Sequence, residues 1–241
     1  MKIVIPSNRE IVTSIAHFPD ELLDITDIVR HHMPKNGYNI GWMRQQYIDE
    51  YLFDGHENII MLDDDLVFGV RDLDNNHVPA NSADILVLFK KLQSWLDSGD
   101  KYVGVSNRFM ANTKPSVYYN SAPSMIYGIC LKFMDDNNIR FDDIPLCEDW
   151  HVALSMYEHG VRGKFTSDWC VTDGSNGKGG LEYLRNSKHI REAMFKLKKL
   201  HPSFVKLREK EGGKHQRHIT NLGMIVQWKK AYQWGLANAG L

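Results

Sequence analysis

Long apolar runs are missing from this 241-residue chain. The longest candidates, Ile59–Leu62 and Ile85–Phe89, fall far short of the roughly 20 residues that cross a bilayer. Cysteine is scarce: Cys130, Cys147 and Cys170 are widely spaced and odd in number, which fits neither a disulfide framework nor a zinc ribbon. The opening Met1-Lys2-Ile3-Val4-Ile5-Pro6 lacks the length of a signal peptide and reads as a strand that begins at once. No compositional bias marks disorder, a collagen repeat or a coiled coil, since charged residues make up an ordinary 24%. What is present, 43% hydrophobic and 11% aromatic residues, suffices for a sizeable core. The expectation is a soluble cytoplasmic protein with no membrane span.

A net charge of −1 conceals an uneven distribution. Residues 1–177 carry 15 Lys and Arg against 26 Asp and Glu, a net of −11. Residues 178–241 carry 14 against 4, a net of +10. Like charge gathered on one segment creates a field that attracts a polyanion. The alternative is a solvated helical face docked on an acidic body.

Strand and helix signals alternate along the chain. Lys2–Ile5, Asn58–Leu62 and Tyr102–Val105 read as short strands, the second as a buried central one. Ile40–Leu52, Ala83–Leu96, Asp149–His159 and Leu181–Leu200 carry helical spacing, with Gly160 placed as a helix-terminating glycine. Asn112–Pro123 has a loop composition, with Tyr118 and Tyr119 in its middle. No repeat or clean linker divides the chain. The pattern predicts a single α/β domain, with residues 1–180 as the core and 181–241 as a basic helical segment packed on it.

The sharpest feature is Ile59-Ile60-Met61-Leu62-Asp63-Asp64-Asp65. In open α/β sheets, ligands bind at the carboxyl ends of the strands. Three adjacent carboxylates there repel one another unless a cation compensates them. Alternation along an extended chain lets Asp63 and Asp65 reach one metal while Asp64 points elsewhere. All-oxygen ligation suits Mn2+ or Mg2+, ions that hold a few protein carboxylates and complete their shell with phosphate oxygens. The alternative is an acidic solvated turn.

An apolar strand ending in Asp-x-Asp, after an N-terminal strand with Pro6-Ser7 and Arg9, resembles nucleotide-sugar glycosyltransferases of the A-type fold. Gly41-Trp42-Met43-Arg44-Gln45 resembles their Gly-x-x-x-Arg-Asn helix start, one residue shorter and with Gln45 in place of Asn. Cys147-Glu148-Asp149-Trp150 resembles their later Glu-Asp motif, which opens a helix and supplies the base in inverting members. The resemblance implies a Rossmann-like domain with a mixed central sheet, a UDP-sugar donor and a divalent ion. It implies donor contacts from Pro6, Ser7, Arg9, Gly41, Arg44, Asp64 and Lys178, metal ligands at Asp63, Asp65 and Asp173, and catalysis by Asp149 with Glu148. Two readings stay open at individual residues. Asp149 also suits a helix N-cap, and the glycine-rich stretch from Asp173 to Gly180 also suits a hairpin turn. Relatives place a histidine near this stretch as a further ligand. None lies between Gly160 and Lys188, so Asp173 or His189 would have to substitute.

On the acceptor side, Arg185, Lys188, Lys196 and Lys199 recur at helical intervals, followed by Lys206, Arg208, Lys210, Lys214 and Arg217. Trp228, Tyr232 and Trp234 add aromatic surface near Lys229 and Lys230. Cations with aromatics are the parts needed to hold phosphates and stack bases. With the His201-Pro202-Ser203-Phe204 break, the pattern is similar to the TET-associated glycosyltransferase family, which includes phage enzymes. That family glycosylates 5-hydroxymethylpyrimidines in DNA. The resemblance implies double-stranded DNA carrying a modified pyrimidine as acceptor, with Tyr118 and Tyr119 receiving the base. Two alternatives remain: a glycosyltransferase acting on a polysaccharide, lipid-linked or protein acceptor, and a non-catalytic DNA-binding protein with a degenerate nucleotide pocket.

Overall fold

A computed structural model describes residues 1–7, 9–30, 40–174, 187–209 and 222–239. The chain opens with β1 (Lys2–Ser7), a short 3-10 turn at Thr13–Ile15, α1 (Asp20–Leu23) and β2 (Thr26–Arg30). Next come α2 (Ile40–Phe53), β3 (Asn58–Leu62), β4 (Leu66–Arg71), β5 (His77–Pro79) and α3 (Ser82–Asp97). The middle holds β6 (Tyr102–Asn107), α4 (Arg108–Ala111), β7 (Val117–Tyr119), β8 (Ile126–Cys130), α5 (Leu131–Asp136) and α6 (Glu148–Glu158). The last described elements are β9 (Lys164–Asp173), α7 (Ser187–Leu200), β10 (Val205–Glu209), β11 (Leu222–Val226) and α8 (Trp228–Asn238).

Eight strands form one path, β2-β1-β3-β8-β6-β9-β4-β5, and β7 pairs with β9 off that path. The strands β1, β2 and β3 run parallel, whereas β8 is antiparallel to both β3 and β6. The result is a mixed, Rossmann-like α/β sheet, as the strand and helix alternation predicts. The uninterrupted apolar run of β3 has a direct cause. Ile59 and Met61 face a core built with α2, α5 and α6, while Ile60 and Leu62 face a second core built with α3. Both faces of the sheet are covered, so Ile59–Leu62 leave no place for a polar side chain, and the polar Asn58 stands at the partly open start of β3.

Helix α3 shows how locally such an element is specified. Asn81 and Asp84 make a reciprocal capping box at its start. Ile85, Leu88, Phe89, Leu92 and Leu96 then form its buried stripe. Each of these side chains contributes roughly 1.5–3 kcal/mol relative to leaving it in water.

Several strands lie where the sequence pattern gives no clear signal. Val117–Tyr119, expected as loop, is drawn into the sheet by pairing with Lys164–Thr166 of β9. The C-terminal segment is not purely helical. Between α7 and α8, β10 and β11 form an antiparallel ribbon, because Val205 and Leu207 alternate with Lys206 and Arg208 at a strand period. Residues 181–186 of the expected helix lie outside the described residues, as do Lys210, Lys214 and Arg217.

The segment is nonetheless docked on the core. Leu197, Phe204, Val205 and Ala231 belong to the same buried cluster as Tyr157 and Phe165. Gly235 of α8 lies so close to α6 that a Cβ would collide with the Tyr157 carbonyl oxygen. Gly160 terminates α6 in a left-handed conformation (φ 74°), as its position in the sequence predicts.

Candidate active site

The carboxyl ends of β3 and β6 and the start of α6 enclose a cavity of about 300 Å³. Its lining includes Arg44, Asp63, Asn107, Tyr118, Tyr127 and Asp149. Residues separated by more than a hundred positions therefore meet at the sheet edge where α/β proteins bind ligands.

Helix α2 brings Arg44 there by close packing. A Cβ on Gly41 would collide with the backbone carbonyl oxygens of Phe141 and Ile144, so glycine lets α2 approach that loop. Gln45 fastens the contact by accepting from the Phe141 N–H at 2.8 Å. One turn beyond Gly41, the buried Arg44 guanidinium donates to Glu148 Oε1 at 2.7 Å and to Asp63 Oδ1 at 3.1 Å. The fork expected to hold a diphosphate is thus engaged by two carboxylates, and Arg44 acts as the clamp that positions them.

Charge is not balanced at this point. Burial alone disfavours the Arg44 cation. The surrounding Tyr127, Glu148, Asp63 and Asp149 outweigh it and hold the guanidinium more firmly protonated than usual. Burial raises the Asp63 carboxyl to about 6, with Arg44 opposing and Asp149, Asp65 and Asp64 adding to the rise. Burial likewise raises Glu148 to about 7, against Arg44 and with Asp149. Burial is the larger cause in both, and one guanidinium beside three carboxylates does not offset it.

Asp149 lies in the first turn of α6 and is not its N-cap. That position belongs to Cys147, whose left-handed backbone (φ 61°) is uncommon for a residue with a Cβ and turns the chain sharply into the helix. The capping reading of Asp149 is corrected on that ground. Its Oδ1 accepts from the Trp150 N–H at 2.9 Å, and the residue lines the cavity.

The three aspartates form the turn between β3 and β4, so the alternation of an extended strand does not apply to them. They divide differently. Asp63 faces the cavity with Arg44. Asp64 accepts from Ser7 Oγ and lies 3.3 Å from Arg9 Nε, while Asp65 pairs with Arg9 Nη2 at 2.6 Å. Asp64 is thereby grouped with Asp65, contrary to the expected pairing of Asp63 with Asp65. Burial raises the Asp64 carboxyl, opposed by Ser7 and Arg9.

The turn is held from outside by Ser14, whose hydroxyl donates to the Asp63 carbonyl at 2.6 Å and accepts from the Leu66 N–H at 2.8 Å. Arg30 fixes the neighbouring loop by donating to the carbonyls of Arg9 and Glu10. Neither residue carried a signal in the sequence, because each acts through backbone atoms brought close only by the fold.

Asp173 ends β9 directly opposite Leu66, and the Gly174 N–H donates to the Asp65 carbonyl at 2.7 Å. The carboxylates at this edge are hard oxygen donors and carry surplus negative charge, which suits a divalent ion. Among the described residues, no three His, Cys, Asp or Glu side chains converge on one point. An ion here would therefore draw on few protein carboxylates and complete its shell with phosphate and water, the usual habit of magnesium.

The remaining expected residues are placed unequally. Pro6 sits within β1 opposite Val29. Tyr118 lines the cavity, stacked on Phe165 with ring centroids 5.4 Å apart, and its hydroxyl donates to Ser106 Oγ at 3.2 Å. Tyr119 does not line the cavity, since alternate strand residues face opposite ways, and it packs under the Arg162 guanidinium. Lys188, Lys196 and Lys199 are exposed on α7, with Lys188 4.0 Å from Glu192, and none of them lines the cavity. Lys178 and Arg185 lie outside the described residues. Tyr127, Trp150, Asn107 and the stretch Ser121–Met125 line the cavity without having been expected there. Only Trp150, adjacent to the Glu-Asp pair, was within reach of motif reading.

Among the described residues, no helix is long and apolar enough to cross a membrane. No protein-family model matches the chain, and no curated protein matches it. Among solved structures, the crystal structure of A197 from STIV is similar, at 15% sequence identity and a TM-score of 0.45, covering 72% of this chain and 85% of that one.

Proposed function

We propose that the chain is a nucleotide-sugar glycosyltransferase of the A-type fold. It moves a hexose from a UDP-sugar to the hydroxyl of a 5-hydroxymethylpyrimidine in DNA. The observation that carries this reading is the meeting of Arg44, Asp63, Glu148 and Asp149 at one cavity on the carboxyl edge of the sheet. These residues come from the three separate segments in which the resemblance to such enzymes resides.

Asp149 is the base. It takes the proton of the acceptor hydroxyl as that oxygen forms its bond to the anomeric carbon. The bond from that carbon to the diphosphate oxygen breaks on the opposite side, the electron pair leaves with the nucleotide, and the sugar inverts. Arg44 holds Glu148 and Asp63 in place beside this reaction. Mn2+ or Mg2+ would be held at this edge by few protein carboxylates, Asp63 among them, with phosphate and water completing its shell, and would offset charge on the departing diphosphate. Ser7, Arg9 and Asp64 form the linked group that shapes the donor side of the turn. Tyr118 offers an aromatic face in the cavity to the acceptor base, which has to leave the duplex stack at a cost of a few kcal/mol.

Incubation with a panel of nucleotide sugars, manganese, and matched duplexes with and without 5-hydroxymethylcytosine tests the reading, with nucleoside mass as readout. A hexose adduct on the modified duplex alone is the expected result. Sugar appearing on a non-nucleic-acid acceptor with no adduct on DNA would retain the glycosyltransferase and remove the DNA.

A further inference from the structure

A second depression, about 550 Å³ in volume, opens beside the catalytic cavity. The two share Met110, Ser121 and Ala122 in their walls. The partition between them is aromatic. Trp150 of the cavity meets Trp228 of the groove edge to face, with ring centroids 5.4 Å apart. On the other side, Tyr118 of the cavity carries the Lys114 ammonium of the groove 5.4 Å from its ring centroid.

The groove is basic. Lys114, Lys229 and Lys230 line it, with Asn120, Gln227 and Gln233 between them. Among the described residues, none of these lysines pairs with a carboxylate. Lys229 and Lys230 occupy the first turn of α8, which contains no acidic residue and has no side-chain cap at Gln227. Cations at the positive end of a helix oppose its dipole, so this arrangement costs stability until an anion arrives. A ligand that offers phosphates to the lysines meets that demand, and a nucleic-acid strand, whose phosphates are evenly spaced, does so along the groove.

We propose that this groove, and not the lysine face of α7, holds the acceptor strand next to the nucleotide that enters the catalytic cavity. The inference rests on the reading of DNA as acceptor and assigns its path. Phosphates flanking the target contact Lys114, Lys229 and Lys230, and the Trp150–Trp228 wall separates the held backbone from the reacting base. The lysines of α7 line neither depression.

Fluorescence anisotropy with a labelled duplex carrying 5-hydroxymethylcytosine, titrated across a range of salt, tests the path. Replacing Lys229 and Lys230 by Gln should weaken binding and flatten the slope of log affinity against log salt by up to about two, roughly 0.9 for each phosphate no longer neutralised. Lys114→Gln should remove up to about one more. Lys196→Gln with Lys199→Gln on α7 should leave the slope as in the wild type. All of these lysines bear side chains at least partly open to water, so no variant should melt below the wild type, and relief of the α8 dipole should if anything raise melting of the Lys229 and Lys230 variant slightly. A wild-type slope in the groove variants, with a flattened one in the α7 variant, overturns the groove and leaves the DNA reading standing. A wild-type protein that neither binds the modified duplex nor glycosylates it removes the DNA reading, and the groove with it.

Discussion

The cavity at the sheet edge and the groove share a wall yet are built on opposite electrostatic plans. In the cavity, Arg44 and Glu148 are buried and held in place, Arg44 is clamped between Glu148 and the half-open Asp63, and negative charge is in excess. In the groove, Lys229 and Lys230 stand exposed at the end of a helix whose dipole repels them. Burial makes the first set rigid and sensitive to the loss of any one member. Exposure leaves the second set cheap to alter individually and dependent on salt. In the proposed function, proton transfer calls for the former and a bound polyanion for the latter.

Removing a positive charge from each region should separate them most widely. Arg44→Met leaves the buried Glu148 without its cation, a loss of about 3–5 kcal/mol. Lys230→Gln, an exposed substitution, should stay within about 0.5 kcal/mol of the wild type. Urea denaturation of the two variants measures both values, and comparable losses would erase the distinction between clamped and open charge.

The next largest contrast is catalytic. Asp149→Asn preserves size and hydrogen bonding but cannot accept a proton at neutral pH. Sugar transfer should fall about a hundredfold or more, whereas affinity for the modified duplex stays within twofold, on the order of 0.4 kcal/mol. Parallel loss of both would make Asp149 a structural residue.

Gly41→Ala probes the packing that brings Arg44 to the cavity. Its Cβ meets the Phe141 and Ile144 carbonyls, and overpacking of this kind costs about 1–3 kcal/mol. Transfer should decline with it, while the salt dependence of duplex binding should not move.

The smallest expected effect concerns pH. Glu148 titrates near 7 when folded against 4.5 as its ordinary value, because burial disfavours its charge. The folded state therefore holds the proton more tightly than the unfolded one. Its stabilisation is complete below about 4.5 and is lost as pH rises through about 7. Melting temperature should decline across that interval, and Glu148→Gln should flatten the decline. An unchanged profile in the variant would show that Glu148 ionises freely beside Arg44.

Much of this sheet edge was legible because it is written in contiguous residues. The apolar run into Asp63–Asp65, the Gly41–Arg44 spacing and the Glu148–Asp149 pair each announce themselves over a few positions, and the fold brings them to one edge. The facing of the three aspartates was not legible. A period-two rule holds for a strand, and these residues form a turn fixed by Ser14 and Arg9. The charge of the C-terminal segment was equally plain, but which lysines would adjoin the cavity was not. The stripe on α7 stands out by its spacing, yet Lys229, Lys230 and Lys114 lie in the groove that adjoins the cavity.

Sequence alone determined the alternation of strands and helices, the doubly covered central strand, and the separation of an acidic body from a basic tail. These follow from local periodicity and composition, which act over one or two turns of chain. Tertiary structure alone decided that Arg44 would clamp two carboxylates, that Asp149 would face the cavity without capping its helix, and that Trp150 would meet Trp228. Each of these depends on side chains far apart in sequence, whose contact is set by the packing of α2, α6 and α8 around the sheet. Pairwise proximity of that kind leaves no periodic trace in the chain.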